Sequence, residues 1–137
     1  MAKKSERSRD DIFGLLFAGL GLLISLSLWS HQPTDASLNS FGAGGKTQNL
    51  CGYLGSVLSD LLFQGFGGGA WLLVIVLFYQ AVIFFGRKNE GLDRQLWLFG
   101  VLGMMLLSCL MALHFTDLKF HQGHTQAGGF LGSITVS

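Results

Sequence analysis

Three long stretches of this chain lack a polar face of any kind. Ile12–Trp29, "IFGLLFAGLGLLISLSLW", holds no charged residue. Neither does Gly68–Gly86, "GGAWLLVIVLFYQAVIFFG", or Gln95–Leu113, "QLWLFGVLGMMLLSCLMAL". A water-soluble helix would show a polar stripe at a period near 3.6 residues, and none does. At a rise of about 1.5 Å per residue each run can cross about 30 Å of hydrocarbon. Within lipid the backbone must bond to itself, so each run predicts an α-helix. The pattern therefore gives an all-α, polytopic membrane protein. Residues 1–11 form a basic tail and 12–137 a transmembrane domain with spans at 12–29, 68–86 and 95–113.

Between the first two spans, Leu50–Phe63 carries Leu50, Leu54, Val57, Leu58, Leu61 and Leu62 at helical spacing. Gly52, Gly55, Ser56 and Ser59 share its second face, a small-residue stripe where another backbone can come close. This helix is too short to cross alone and carries Asp60. It is expected to lie at the interface or to dip in and return, with a break at "GFGGG" (65–69). Gly14, Ala18, Gly21 and Ser25 form a comparable packing seam on the first span. From about residue 128, "GGFLGS" opens a fourth apolar segment that is not completed, so the chain reads as part of a longer protein.

Composition agrees with this picture. Half of the 137 residues are hydrophobic and 12% are charged, about half the charged share of a soluble domain. A net charge of +1 offers no general attraction to nucleic acid. Lys3, Lys4, Arg7 and Arg9 precede the first span, and Arg87, Lys88 and Arg94 separate the second from the third. Only Lys46 and Lys119 occupy the other connections. The bias of basic residues predicts a cytoplasmic N-terminus, with 30–50 and 114–127 on the outer side. The first span is longer than a signal-peptide core and lacks a small-residue cleavage site, so an anchored helix is expected.

Little in the sequence points to chemistry. "NSFGAGGKT" (39–47) ends like a phosphate-binding loop, but the leading glycine is replaced by Ser40 and no hydrophobic strand precedes it. His31, His114, His121 and His124 do not form a set of three fixed ligands, and a metal site is not expected. Cys51 and Cys109 read as two thiols rather than a bridge. Asp60 invites a functional reading because a carboxylate near lipid is costly; a packing or partner role is favoured over proton transfer. No signature of an intramembrane protease occurs in the spans. No catalytic residue, cofactor or metal is assigned.

"WSHQPTDAS" (29–37), "GYLGSVLSDLLFQGFG" (52–67) and "GGFLGS" (128–133), in that order around three spans, resemble the N-terminal membrane domain of the FtsK/SpoIIIE family of septal DNA translocases. Pro33 and Asp35 match the first motif, and Gly52, Gly55, Asp60, Phe66 and Gly67 the second. Gly128, Gly129, Gly132 and Ser133 match the third. Ala36 stands where a second Pro is frequent, and Ser56 replaces Ala. The resemblance implies a non-enzymatic anchor of a division-site DNA pump, in a bacterial inner membrane. It also implies contacts with membrane lipid and division proteins, homo-oligomers in the full-length protein, and no direct DNA contact from this chain. The alternative is a small transporter or channel subunit, for which Asp60 and Gln80 are the candidate path residues. An intramembrane enzyme is a third reading.

Overall fold

The computed structural model describes residues 2–36, 47–86, 94–114, 119–120, 125–126 and 129–136. Five helices make up nearly all of it: α1 (Ala2–Trp29), α2 (Gly52–Phe66), α3 (Trp71–Phe85), α4 (Arg94–His114) and α5 (Gly129–Val136). A 3-10 turn, Gly67–Ala70, joins α2 to α3. A two-residue antiparallel ladder pairs β1 (Lys119–Phe120) with β2 (Thr125–Gln126). The all-helical class expected from the apolar runs is what the chain forms. By length and composition three helical segments can cross a membrane: Ser8–Trp29, Gly52–Phe85 and Arg94–His114.

Helix α1 begins at Ala2, well before the apolar run, so the basic tail continues the span as helix. Helix α2 extends past the expected end to Phe66, and the break falls at Gly67–Ala70. Gly67 adopts φ 54° and ψ −136°, a conformation in which any side chain is strained.

Two stripes on α1 receive the next two helices in opposite order. Along the first, an added Cβ at Gly14 would meet the Phe85 ring, Phe17 stacks on Phe84 at 5.6 Å, and Gly21 lies against Leu77 and Phe78. Helix α3 therefore runs antiparallel to α1. Along the second, Leu23, Ser27 and His31 meet Cys51, Gly55 and Ser59 in that order. Helix α2 therefore runs parallel to the end of α1.

The chain must reverse between the two, at the 3-10 turn. Although Gly52–Phe85 is helical over 34 residues, a straight rod of that length would span about 50 Å, well beyond the hydrocarbon thickness. Reversal resolves this. Helix α2 is a stub beside the His31 end of α1, and the turn together with α3 forms the crossing segment.

Helix α4 lies antiparallel to α3 and meets the turn backbone to backbone. A Cβ at Gly69 would sit 2.8 Å from the Met104 carbonyl oxygen and 3.4 Å from the Ser108 nitrogen. The core where these elements meet holds Ile24, Leu28, Phe63, Ala70, Val74 and Leu77. Helix α5 docks at the same place, for a Cβ on Gly129 would lie 2.6 Å from the Gly67 nitrogen and 2.9 Å from the Gln64 oxygen.

Most of the remaining large apolar side chains are exposed, Leu15, Leu22, Leu98, Phe99 and Leu106 among them. In water such a surface would drive aggregation; in lipid it is the natural outer face. Gly69→Val is expected to lower stability by about 1–3 kcal/mol, because rigid backbone faces the added methyls. Gly19→Val, which has open space around it, is the control. Denaturation of the detergent-solubilised chain followed by circular dichroism measures both.

Candidate functional site: a buried polar latch at the His31 end

The polar residues that this apolar bundle buries are concentrated at one end. Ser27, His31, Asp35, Asn49, Ser56 and Ser59 are each 6% exposed or less. They lie on three segments: the last turns of α1 with the residues after it, the return strand 47–51, and the buried face of α2.

The segment after α1 turns sharply. Pro33 occupies the second position of a turn closed by the Asp35 N–H donating to Gln32 O at 3.1 Å, where its fixed φ is favourable. This turn aims the Asp35 carboxylate at the returning chain. One oxygen accepts the Gln48 N–H at 2.9 Å and the other the Asn49 N–H at 2.8 Å. Hydrogen bonds to a charged acceptor are the strong ones in a protein.

Asn49 continues the connection. Its amide nitrogen donates to the Ser27 carbonyl at 2.9 Å and approaches Ser59 Oγ at 3.5 Å, while its side-chain oxygen accepts the Cys51 N–H at 3.0 Å. Ser59 Oγ donates to Ser56 O at 3.1 Å and lies 2.9 Å from His31 Nδ1. The His31 ring also packs against Phe63 with centroids 5.0 Å apart. The Ser56 hydroxyl donates to Ala36 O, Leu50 N–H donates to Ser30 Oγ at 3.0 Å, and Cys51 Sγ lies 3.5 Å from Leu23 O.

Gly55 makes the close approach possible. A Cβ there would collide with Asn49 Oδ1 and Cys51 Cβ and come within 2.9 Å of Ser27 Oγ. Gly52, at φ 64°, starts α2 in a left-handed conformation with its N–H on Asn49 O at 2.8 Å.

Ser59 beside His31 has the spacing of a nucleophile and base. Ser59 is fully buried, out of reach of a substrate, and both Asp35 oxygens accept backbone amides. The arrangement instead holds the two ends of the α1–α2 connection against the α1–α2 seam.

Of the motif positions, Pro33, Asp35, Gly52 and Gly55 come together in this latch. Phe66, Gly67 and Gly129 meet at the reversal. Asp60 is half-buried on α2 and outside the network. Gly132 and Ser133 lie within α5, and Gly128 falls outside the described residues. On α1, Gly14 and Gly21 are buried against α3, Ala18 is half-buried, and the Ser25 hydroxyl bonds back to Leu22 O at 2.9 Å. The stripe facing α3 includes Gly14, Phe17 and Gly21.

Cys51 and Cys109 are both free thiols. His121, His124 and the lysine of the glycine-rich stretch, Lys46, lie outside the described residues. Sequence reasoning did not single out Ser27, His31, Asn49 or Ser59 as one cluster; polar residues of two neighbouring helix ends, with an Asn between them, were the available signal.

Asp35→Ala would leave the Gln48 and Asn49 amides without acceptors, and Asn49→Ala would strand the Ser27 carbonyl and the Cys51 amide. Each is expected to cost about 1–3 kcal/mol. Both should also speed modification of Cys51 by a small maleimide in the Cys109→Ser background. Unchanged melting and unchanged Cys51 kinetics would mean that the network does not hold the loop.

The profile of the 4TM region of DNA translocase FtsK/SpoIIIE matches residues 6–137. The chain is 32% identical over 120 residues to the DNA translocase FtsK of Vibrio vulnificus, covering 83% of this chain and 12% of that protein. It is 29% identical over 127 residues to that of Pseudomonas aeruginosa, covering 87% of this chain and 16% of that protein. With the Caulobacter vibrioides protein it shares 30% identity over 97 residues, covering 68% of this chain and 12% of that one. It thus spans less than a fifth of the length of these relatives. No solved structure matches it. Three membrane-length apolar helices and a profile match across nearly the whole length make this chain a multi-pass membrane member of the FtsK/SpoIIIE family, corresponding to its 4TM region.

Proposed function

We propose that the chain is the membrane-anchoring and interaction domain of a septal DNA translocase that serves cell division and chromosome segregation. The observation that carries this reading is the family match over residues 6–137 to a region named for its membrane spans, in relatives whose remaining length lies outside the match. In this reading the domain has no catalytic activity of its own and touches no DNA. It sits in the bacterial inner membrane with its N-terminus in the cytoplasm, as the basic residues before α1 and between α3 and α4 favour. Division-site proteins and further copies of the protein are its partners in the membrane, and the motor belongs to the rest of the protein.

Burial of Gln80 inside the bundle supports anchoring over conduction, because a transport path needs its polar groups to line an open route. The Asp35–Asn49 latch gives the outer connection a fixed base from which to meet a partner.

Two measurements test the proposal. The chain fused to a fluorescent protein is expected to gather at the division site, and uniform membrane fluorescence would remove the septal role. In intact cells, Ser37→Cys in a Cys51→Ser, Cys109→Ser background should react with a membrane-impermeant maleimide. Reaction only after lysis would invert the topology.

A further inference from the structure

Helix α2 meets different parts of the chain at its two ends. Its first and middle turns belong to the latch, where Gly55 lies against Asn49 and Ser27, and Ser59 against His31. Its last turn bears on α5. A Cβ on Gly129 would lie 2.6 Å from the Gly67 nitrogen, 2.9 Å from the Gln64 oxygen and 2.9 Å from the Gly65 carbonyl carbon. The first residue of α5 thus sits on the backbone at the end of α2. Gly129, at φ 61°, has both the conformation and the size that this seat requires.

Between its two ends α2 is one rod. The helix is unbroken from Gly52 to Phe66, and the Gly67 N–H closes it onto Phe63 O. The Phe63 ring packs on His31, so the last turn also touches the latch. Immediately beyond the rod come three glycines, Gly67, Gly68 and Gly69. Gly67 has a conformation strained for any side chain, and Gly69 rests on the α4 backbone. The seat of α5 is therefore on the α2 side of a glycine pivot, and the contact of the turn with α4 is on the other side.

We propose that α2 is a lever that couples the latch to α5. Opening the connection between α1 and α2 shifts the seat, and α5 leaves Gln64 and Gly67. Displacing α5 loosens the latch in turn, because two sites that bias one element are coupled reciprocally. In the second state α5 is held by α4 alone, along which it also packs. The consequence is regulatory: a protein bound to the α1–α2 connection is sensed at α5, and a pull on α5 is sensed at the connection.

The test alters each end of α2 and reads the other, in the detergent-solubilised chain. In the Cys109→Ser background, Gly129→Val forces α5 off its seat. Modification of Cys51 by a small maleimide should then quicken by about fivefold or more, the lower end of the usual range for coupled sites. Helix α2 is about 22 Å long, so no direct contact carries that change. Gly69→Val, which disturbs the α4 side of the pivot, controls for lost stability and should leave Cys51 kinetics unchanged. If circular dichroism shows Gly129→Val to be unfolded, Gly129→Ala, which adds one carbon to the same seat, takes its place. From the other end, spin labels attached through Leu98→Cys and Ile134→Cys report the position of α5 on α4. Both positions are exposed, and the background is Cys51→Ser, Cys109→Ser. Their distance distribution should be single and narrow, and Asp35→Ala should broaden or shift it. Unchanged Cys51 kinetics in the Gly129 variants, an equal rise in Gly69→Val, or a label distance indifferent to Asp35→Ala would overturn the proposal.

Discussion

Hydrocarbon offers no hydrogen bonds, so a chain that leaves one helix and re-enters beside it must bring its own donors and acceptors. Most of what is distinctive in this bundle follows from that constraint. Between α1 and α2 the returning amides of Gln48, Asn49, Leu50 and Cys51 take side-chain acceptors from Asp35, Asn49 and Ser30. The carbonyls of Leu23, Ser27 and Ala36 take side-chain donors in turn. Asp35, Asn49, Ser27 and Ser56 among these partners are buried, so their hydrogen bonds stand in for water at the buried part of the connection.

The second consequence concerns distance. Packing between membrane helices gains little from burying apolar surface, because lipid is as apolar as the side chains; it depends on close contact. Glycine supplies that contact at several junctions of the fold. Gly55 brings α2 onto Ser27, Gly69 brings the turn onto the α4 backbone, and Gly129 brings α5 onto Gly67. At Gly67 and Gly129 conformation and space are both at stake, since each has positive φ and their backbones touch. A substitution at either would strain the chain and open the reversal together.

The apolar runs made the spans legible from sequence, because an absent polar face has no other stable explanation over that length. The short helix was legible from its periodicity and its glycine break. Its direction was not. Helical spacing continues almost unbroken from Gly52 to Phe85, and whether the two halves point the same way depends on which stripe of α1 each meets. The ring contacts of α1 were not legible either: Phe17 stacks on Phe84 and also contacts Trp97, and counting small residues does not select it. The latch was hidden for another reason. Asp35 stood out only through resemblance, and Asn49, Ser27 and Ser59 are residue types common at helix ends whose burial follows from the reversal.

The reversal also accounts for the asymmetry of the bundle. At the His31 end α1 is contacted on two stripes, and α2, the 3-10 turn, α4 and α5 crowd into one cross-section. There the fold is held by buried hydrogen bonds and glycine contacts. At the Gly14 end, among the described residues, the ring contacts of α1 are to α3 and to Trp97 of α4. Fewer elements share that cross-section, so space is occupied by rings: Phe13, Phe17, Phe84 and Trp97. The change of chain direction at Gly67 thus leaves a hydrogen-bonded, glycine-packed end at His31 and a ring-packed end at Gly14.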